Sequence, residues 1–178
     1  MWASSTGNDE EGRSISMKKR VLSLLVDNTA GVLSRVSGMF SRRDYNIDSL
    51  TVGVTENPDY SRMTVVVVGD DRTLDQIEKQ LLKLEDVVEV EELVDGESVC
   101  RELVLVKVRA DKEEKQQIIA VADVFRAKIV DVSLNSLMIE LTGNVNKVEA
   151  FLGLLDGFDI LEIVRTGVTG LTRGNYDK

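Results

Sequence analysis

Hydrophobic positions along this chain follow two spacings that alternate in a fixed order. Arg20 to Val26, "RVLSLLV", is nearly all apolar and reads as a strand covered on both faces. From Gly31 to Arg43 the spacing widens. Val32, Leu33, Val36, Met39 and Phe40 share one face at helical period, with Arg35, Arg42 and Arg43 largely off it. Period two returns over Ile47 to Thr55, where Leu50, Val52 and Val54 alternate with Ser49, Thr51 and Gly53, predicting a strand with one buried face. "ENPDYS", which holds the only proline, turns the chain into a strand over Met63 to Val68. Leu74, Ile77, Leu81 and Leu84 mark a second helix, with Thr73 and Gln76 spaced as a capping box, and Val87 to Val94 closes as a strand.

After the link "VDGES" the same order recurs. Leu103 to Val108 is a strand, and Asp111 with Glu114 opens a helix carrying Ile118, Ile119, Ala122 and Phe125. Lys128 to Val132 and Leu137 to Leu141 form a hairpin through "SLNS". Asn144 caps a helix bearing Val145, Val148, Phe151, Leu152 and Leu155, and Ile160 to Val164 is the last strand. Two β-α-β-β-α-β units predict an α+β chain of two ferredoxin-like domains, each an antiparallel sheet with its helices on one face. The predicted domains span 17–95 and 96–174. Residues 1–16, polar and without the apolar core of a signal peptide, read as a disordered extension or tag, and 175–178 as a tail. A unit of this size buries little and leaves sheet edges open, so a homodimer or higher oligomer is expected.

Charge and residue inventory narrow the chemistry. With 31 acidic against 22 basic residues the net charge is −9, which repels phosphate backbones and anionic membrane surfaces, so neither nucleic acid nor membrane is an expected partner. No apolar run approaches the roughly 18 residues of a membrane span. Histidine is absent and Cys100 is the only cysteine, which leaves no disulfide, no Cys-His pair, no Ser-His-Asp triad and no usual transition-metal cluster. No catalytic constellation and no metal site are predicted.

The stretch "VDNTAGVLSRVSGMFSRRDYNI" holds the candidate chemistry. Its turn has one glycine and no Gly-Lys-Ser/Thr ending, which argues against a phosphate loop. The free N–H groups near Gly31, Val32 and Leu33, with the helix dipole, suit a carboxylate. Asn28 and Asn46 offer donors and acceptors, and Val32, Leu33 and Ile47 offer apolar surface, a combination that fits an aliphatic amino acid. The same residues also fit a plain strand-to-helix turn, and pattern alone does not separate the two.

A resemblance does. "LSLLVDNTAGVLSRVSGMFSRRDYNIDSLTVG", "SRMTVVVVGDD", "IEKQLLKLEDVVEV", "RELVLVKV" and the terminal "GVTGLTRG" closely resemble the regulatory (small) subunit of acetolactate synthase, or acetohydroxyacid synthase, collinearly from about Met17 to Gly174. The resemblance implies an N-terminal ACT domain for effector binding and dimerisation, followed by the ferredoxin-like C-terminal domain of that subunit. It implies a non-catalytic chain that activates the catalytic subunit in the biosynthesis of valine, isoleucine and leucine. Feedback inhibition would come from valine, or another branched-chain amino acid, bound between paired ACT domains. Carried over by position, Asn28, Gly31, Val32 and Leu33 would meet the effector from one chain, and Asn46 and Ile47 from the other. Thiamine diphosphate, magnesium and FAD would sit on the catalytic subunit, with no cofactor on this chain. A single regulatory unit without a transit peptide reads as bacterial and cytoplasmic. One departure stands out: Asp44 occupies a position where the family usually has glycine, as a left-handed cap past the helix. The tail "RTGVTGLTRGNYDK" reads either as a flexible end or as a contact with the C-terminal domain or the catalytic subunit.

Overall fold

The computed structural model describes residues 5–8 and 14–174. It divides into two compact units, one running to Val99 and resuming at Val168, the other spanning Cys100–Gly167.

In the first unit, β2 (Ser14–Asp27) is the strand that the apolar run predicts. It is central: Lys18 to Asp27 stand antiparallel to Gly69 to Tyr60 of β4 (Tyr60–Gly69), and β5 (Val87–Glu92) pairs with its other edge. β3 (Ile47–Val54) lies outside β4, giving the order β3-β4-β2-β5 of a ferredoxin-like sheet. β2 is flanked on both sides over Leu22 to Val26, within its apolar run. Leu22, Leu24 and Val26 pack under the helices α1 (Val32–Ser41) and α2 (Asp71–Leu81) with Val36, Met39, Phe40, Leu74, Ile77 and Leu81. On the opposite face Val21, Ser23, Thr64 and Val66 are buried as well.

The second unit repeats the plan. β6 (Ser98–Arg109) is flanked by β8 (Ser136–Gly143) and β9 (Asp159–Arg165), and β7 (Lys128–Val132) pairs with β8. Val104, Val106 and Val108 are fully buried beneath α3 (Lys112–Phe125) and α4 (Val145–Leu155), where Phe125 and Phe151 meet edge to face at 5.5 Å. Asp111 and Glu114 form the expected capping box, and the Asn144 side chain accepts from the Lys147 N–H at 2.9 Å.

Four expectations change. Helix α2 starts at Asp71, and its cap is Asp70, whose carboxylate accepts from the Thr73 N–H at 2.7 Å; Thr73 lies inside the first turn rather than at the cap. Val52 and Val54 are 51% and 63% exposed, because β3 is an edge strand whose far end is not roofed by the helices. Ser5–Asn8 form a short strand, β1, against Ser14 to Met17, where a disordered extension is expected, since that part of β2 runs past the end of β4 and leaves ladder groups to pair. The rest of the 1–16 extension before Ser14, and the 175–178 tail, lie outside the described residues. Finally, of the two readings of the tail the flexible end gives way, since Thr169–Thr172 form a short strand, β10, that pairs with β6. The basic cluster at the start of β2 is used internally: Lys18 pairs with Asp71, Lys19 with Asp48, and Arg20 with Asp75 and Glu92.

Candidate functional site

The turn between β2 and α1 is built from backbone and one amide. Asn28 donates its N–H to the Asp59 carbonyl at 2.7 Å and its Nδ2 to the Pro58 carbonyl at 2.9 Å, while its Oδ1 accepts from Ser61 Oγ at 3.1 Å. Its amide is thus half committed to holding the 57–61 turn, leaving one donor and one acceptor position for anything else. The chain then runs exposed through Thr29 and Ala30 to Gly31, the residue before α1.

Gly31 has φ 89°, a left-handed conformation that glycine enters at no steric cost. Its small size matters too, since a Cβ there would stand 2.9 Å from Arg35 Nη1. That arginine is held by a bidentate ion pair with Asp86, with Nη2 to Oδ1 at 2.7 Å and Nε to Oδ2 as the second contact. Hydrogen bonding to Arg35 lowers the Asp86 pKa and correspondingly raises that of Arg35.

Helix α1 differs from its counterparts at this end. Asp70, Asp111 and Asn144 cap α2, α3 and α4 through side chains, whereas α1 carries no side-chain cap and no acidic residue in its first turn. Only the Val32 N–H, 3.4 Å from the Thr29 carbonyl, turns back into the loop. A side-chain cap ordinarily contributes about 1 kcal/mol, and forgoing it leaves donors and the positive end of the helix dipole facing solvent.

The predicted apolar residues sort differently from expectation. Val32 is 3% exposed and belongs to the core under β2, so its side chain is not available to a ligand; only its backbone borders the turn. Leu33, one position further round the helix, is 44% exposed. At the other end of α1, Asp44 takes φ 57°, the conformation foreseen for the family's glycine, and the Tyr45 N–H closes the helix on the Phe40 carbonyl at 3.1 Å. Asn46 is exposed, and Ile47 is half-buried against the core.

Within one chain, therefore, the residues form two groups rather than one site. Asn28, Gly31 and Leu33 stand at the start of α1 and Asn46 and Ile47 beyond its end, separated by a helix about 15 Å long. The nearby open groove of about 440 Å³ on this unit is lined by Thr51, Val52, Gly53, Arg62 and Leu171, and none of the predicted residues borders it. Strand β3, which starts at Ile47, has a free outer edge among the described residues. Arg35 escaped the sequence reading because it lies off the apolar face of α1; its position one turn after a lone glycine was the available signal. No group of three potential metal ligands occurs among the described residues, and no helix among them is long and apolar enough to cross a membrane.

Comparison with known proteins assigns both units. Residues 22–89 match the ACT domain of acetohydroxyacid synthase small subunits, and residues 101–174 match the family described as the small subunit of acetolactate synthase. A probable acetolactate synthase small subunit of Archaeoglobus fulgidus is 48% identical over 157 residues, covering 88% of this chain and 98% of the relative. The acetolactate synthase small subunit of Mycobacterium bovis is 49% identical over 160 residues, covering 90% and 95%. Among solved structures, the acetolactate synthase small subunit of Thermotoga maritima superposes with a TM-score of 0.81 at 45% identity, covering 89% of this chain and 99% of that one. Both halves of the chain, in order and over nearly the full length of these relatives, place it in the family of acetolactate synthase small subunits.

Proposed function

We propose that this chain is a non-catalytic regulatory subunit that raises the activity of the catalytic subunit of acetolactate synthase and makes it sensitive to valine. Two first units pair, β3 edge with β3 edge, and each effector site combines the bare start of α1 from one chain with Asn46 and Ile47 from the other. The observation that carries this reading is the uncapped α1 start beside a glycine, when α2, α3 and α4 are all capped by side chains. A carboxylate there gains from the free N–H groups and the dipole, about 0.3 to 1 kcal/mol from the latter. Asn28, Asn46 and the aliphatic surface of Leu33 and Ile47 supply the rest. Thiamine diphosphate, magnesium and FAD belong to the catalytic partner, which carries out the chemistry.

Titration calorimetry of the isolated chain with valine, leucine and isoleucine tests this. Valine should give a saturable heat, and Asn46→Ala should weaken it about tenfold or more, the loss expected when a hydrogen bond to a charged group is removed. No saturable heat with any of the three, or unchanged affinity in Asn46→Ala, would overturn the assignment.

A further inference from the structure

Two aspartates in this chain are followed directly by glycine: Asp95–Gly96 in the link after β5, and Asp156–Gly157 after α4. In such a pair the main-chain amide can attack the preceding side chain, because glycine has no Cβ to shield its nitrogen. Whether it does depends on how close the reacting atoms are held.

At Asp95 the two groups touch. Val94 to Glu97 form an exposed turn, closed by the Glu97 N–H on the Val94 carbonyl at 3.2 Å, and Gly96 takes φ 86° within it. The Gly96 N–H donates to no main-chain carbonyl among the described residues; it points to Oδ1 of Asp95 at 3.1 Å. An N–H bonded to Oδ1 stands beside Cγ of the same carboxyl group, so ring closure needs only rotation about the bonds of Asp95 itself. No ion pair holds that carboxyl group among the described residues. A Cβ placed on Gly96 would meet nothing within 4 Å, so the turn has open space round its glycine.

Asp156 differs. It caps α4 in helical conformation, with φ −62° and ψ −20°, and its carboxylate makes no contact with the Gly157 N–H among the described residues.

We propose that Asp95–Gly96 is a site of spontaneous covalent modification, at which the chain converts Asp95 to isoaspartate through a succinimide. The Gly96 nitrogen forms a bond to Cγ of the protonated carboxyl group while the Cγ–OH bond breaks, and that hydroxyl leaves with the amide proton as water. Water then adds at the main-chain carbonyl carbon of Asp95 and breaks its bond to the Gly96 nitrogen. The chain now continues through the side chain, and the former main-chain carbonyl is a free carboxylate. One water leaves and one enters, with no oxidant or further reactant.

The product carries one extra methylene in the main chain of the turn. The Val94 carbonyl accepts from the Glu97 N–H at 3.2 Å, the Ser98 N–H at 3.1 Å and Ser98 Oγ at 2.7 Å, three bonds that fix the entry to β6. A longer main chain between Val94 and Glu97 takes these donors out of register. Ser98 is 8% exposed, so its N–H and hydroxyl are left buried without a partner.

The test ages the full-length chain for several weeks at physiological temperature and mildly acidic pH, then maps isoaspartate by peptide mass spectrometry with electron-transfer fragmentation. Isoaspartate should accumulate at residue 95 at least about tenfold faster than at residue 156, the difference expected between touching and separated reactants. Asp95→Glu, whose ring would need one more atom, should show no isomerisation at 95, and Asp95→Asn should form the same ring faster, with loss of ammonia. Hydrogen exchange at Glu97 and Ser98 should be about tenfold faster in aged than in fresh wild-type protein, and unchanged by ageing in Asp95→Glu. An aged chain with Asp95 intact, or with isoaspartate equally abundant at 156, would overturn the site. Modification at 95 with unchanged exchange at Ser98 would overturn its effect on the entry to β6.

Discussion

Gly31→Asp should separate the proposed effector binding from folding at a single position. The left-handed backbone at φ 89° costs an ordinary L-residue about 1 to 2 kcal/mol, less for Asp. The new Cβ would meet Arg35 Nη1 at 2.9 Å, but that contact is the far end of a side chain 49% exposed, which can swing aside. Against these costs, a carboxylate beside the helix start gains about 0.3 to 1 kcal/mol from the dipole. The net change should stay within about 1 kcal/mol, a shift of the melting temperature of no more than about 4 °C. Effector binding fares differently, because the new carboxylate occupies the space and cancels the positive field that a bound carboxylate needs. Valine inhibition of the reconstituted enzyme should weaken at least a hundredfold, about 2.7 kcal/mol, with activation retained. Calorimetry and inhibition curves beside a melting curve decide the matter. A stable variant with wild-type valine sensitivity would refute the placement of the site, and a loss of several kcal/mol in stability would refute the strain argument.

Asp44→Gly should relieve the strain at φ 57° and raise stability by up to about 1 kcal/mol in a urea titration; a decrease would mean that the Asp44 side chain contributes something else. Asp70→Ala removes the α2 cap and should cost about 1 kcal/mol, whereas Gln76→Ala, the partner suggested by the spacing from Thr73, should cost less. Acid should destabilise the first unit. Hydrogen bonding from Arg35 to Asp86, and from Thr73 to Asp70, lowers both carboxyl pKa values, so the folded state takes up protons later than the unfolded one. Their stabilisation is complete above the unfolded carboxylate value of about 4 and disappears as pH falls through the lower folded values. The melting temperature measured from about pH 5 to pH 2 should therefore fall less steeply in Asp86→Asn than in wild type, and identical slopes would contradict the linkage.

The element order was legible because the strongest signals come from strands and helices with an unambiguous environment. β2 and β6 are flanked on both sides, so their apolar runs could mean little else, and Asp111–Glu114 and Asn144 stand where a helix must start. Alternation on β3 was less informative, since period two identifies a face without saying whether a helix covers it, and over Val52 and Val54 none does. At α2, Asp70 and Thr73 both suit a cap, and the end of β4 at Gly69 decides between them. Val32 and Leu33 are about 100° apart round the helix, and Leu33, at the margin of the apolar stripe, is the one left exposed. The two halves of the candidate site lie close in sequence but at opposite ends of α1, and only the resemblance suggested that two chains are needed. The last strand, Thr169–Thr172, carries no periodic signal, and Val168 before it is met by two hydroxyls more than a hundred residues away in sequence.

Acetolactate formation by a purified catalytic subunit, measured with and without this chain and with and without valine, tests the central claim most directly. The account predicts that the chain raises the rate and that valine reverses the gain. A rate unaffected by the chain, and indifferent to valine in its presence, would contradict it.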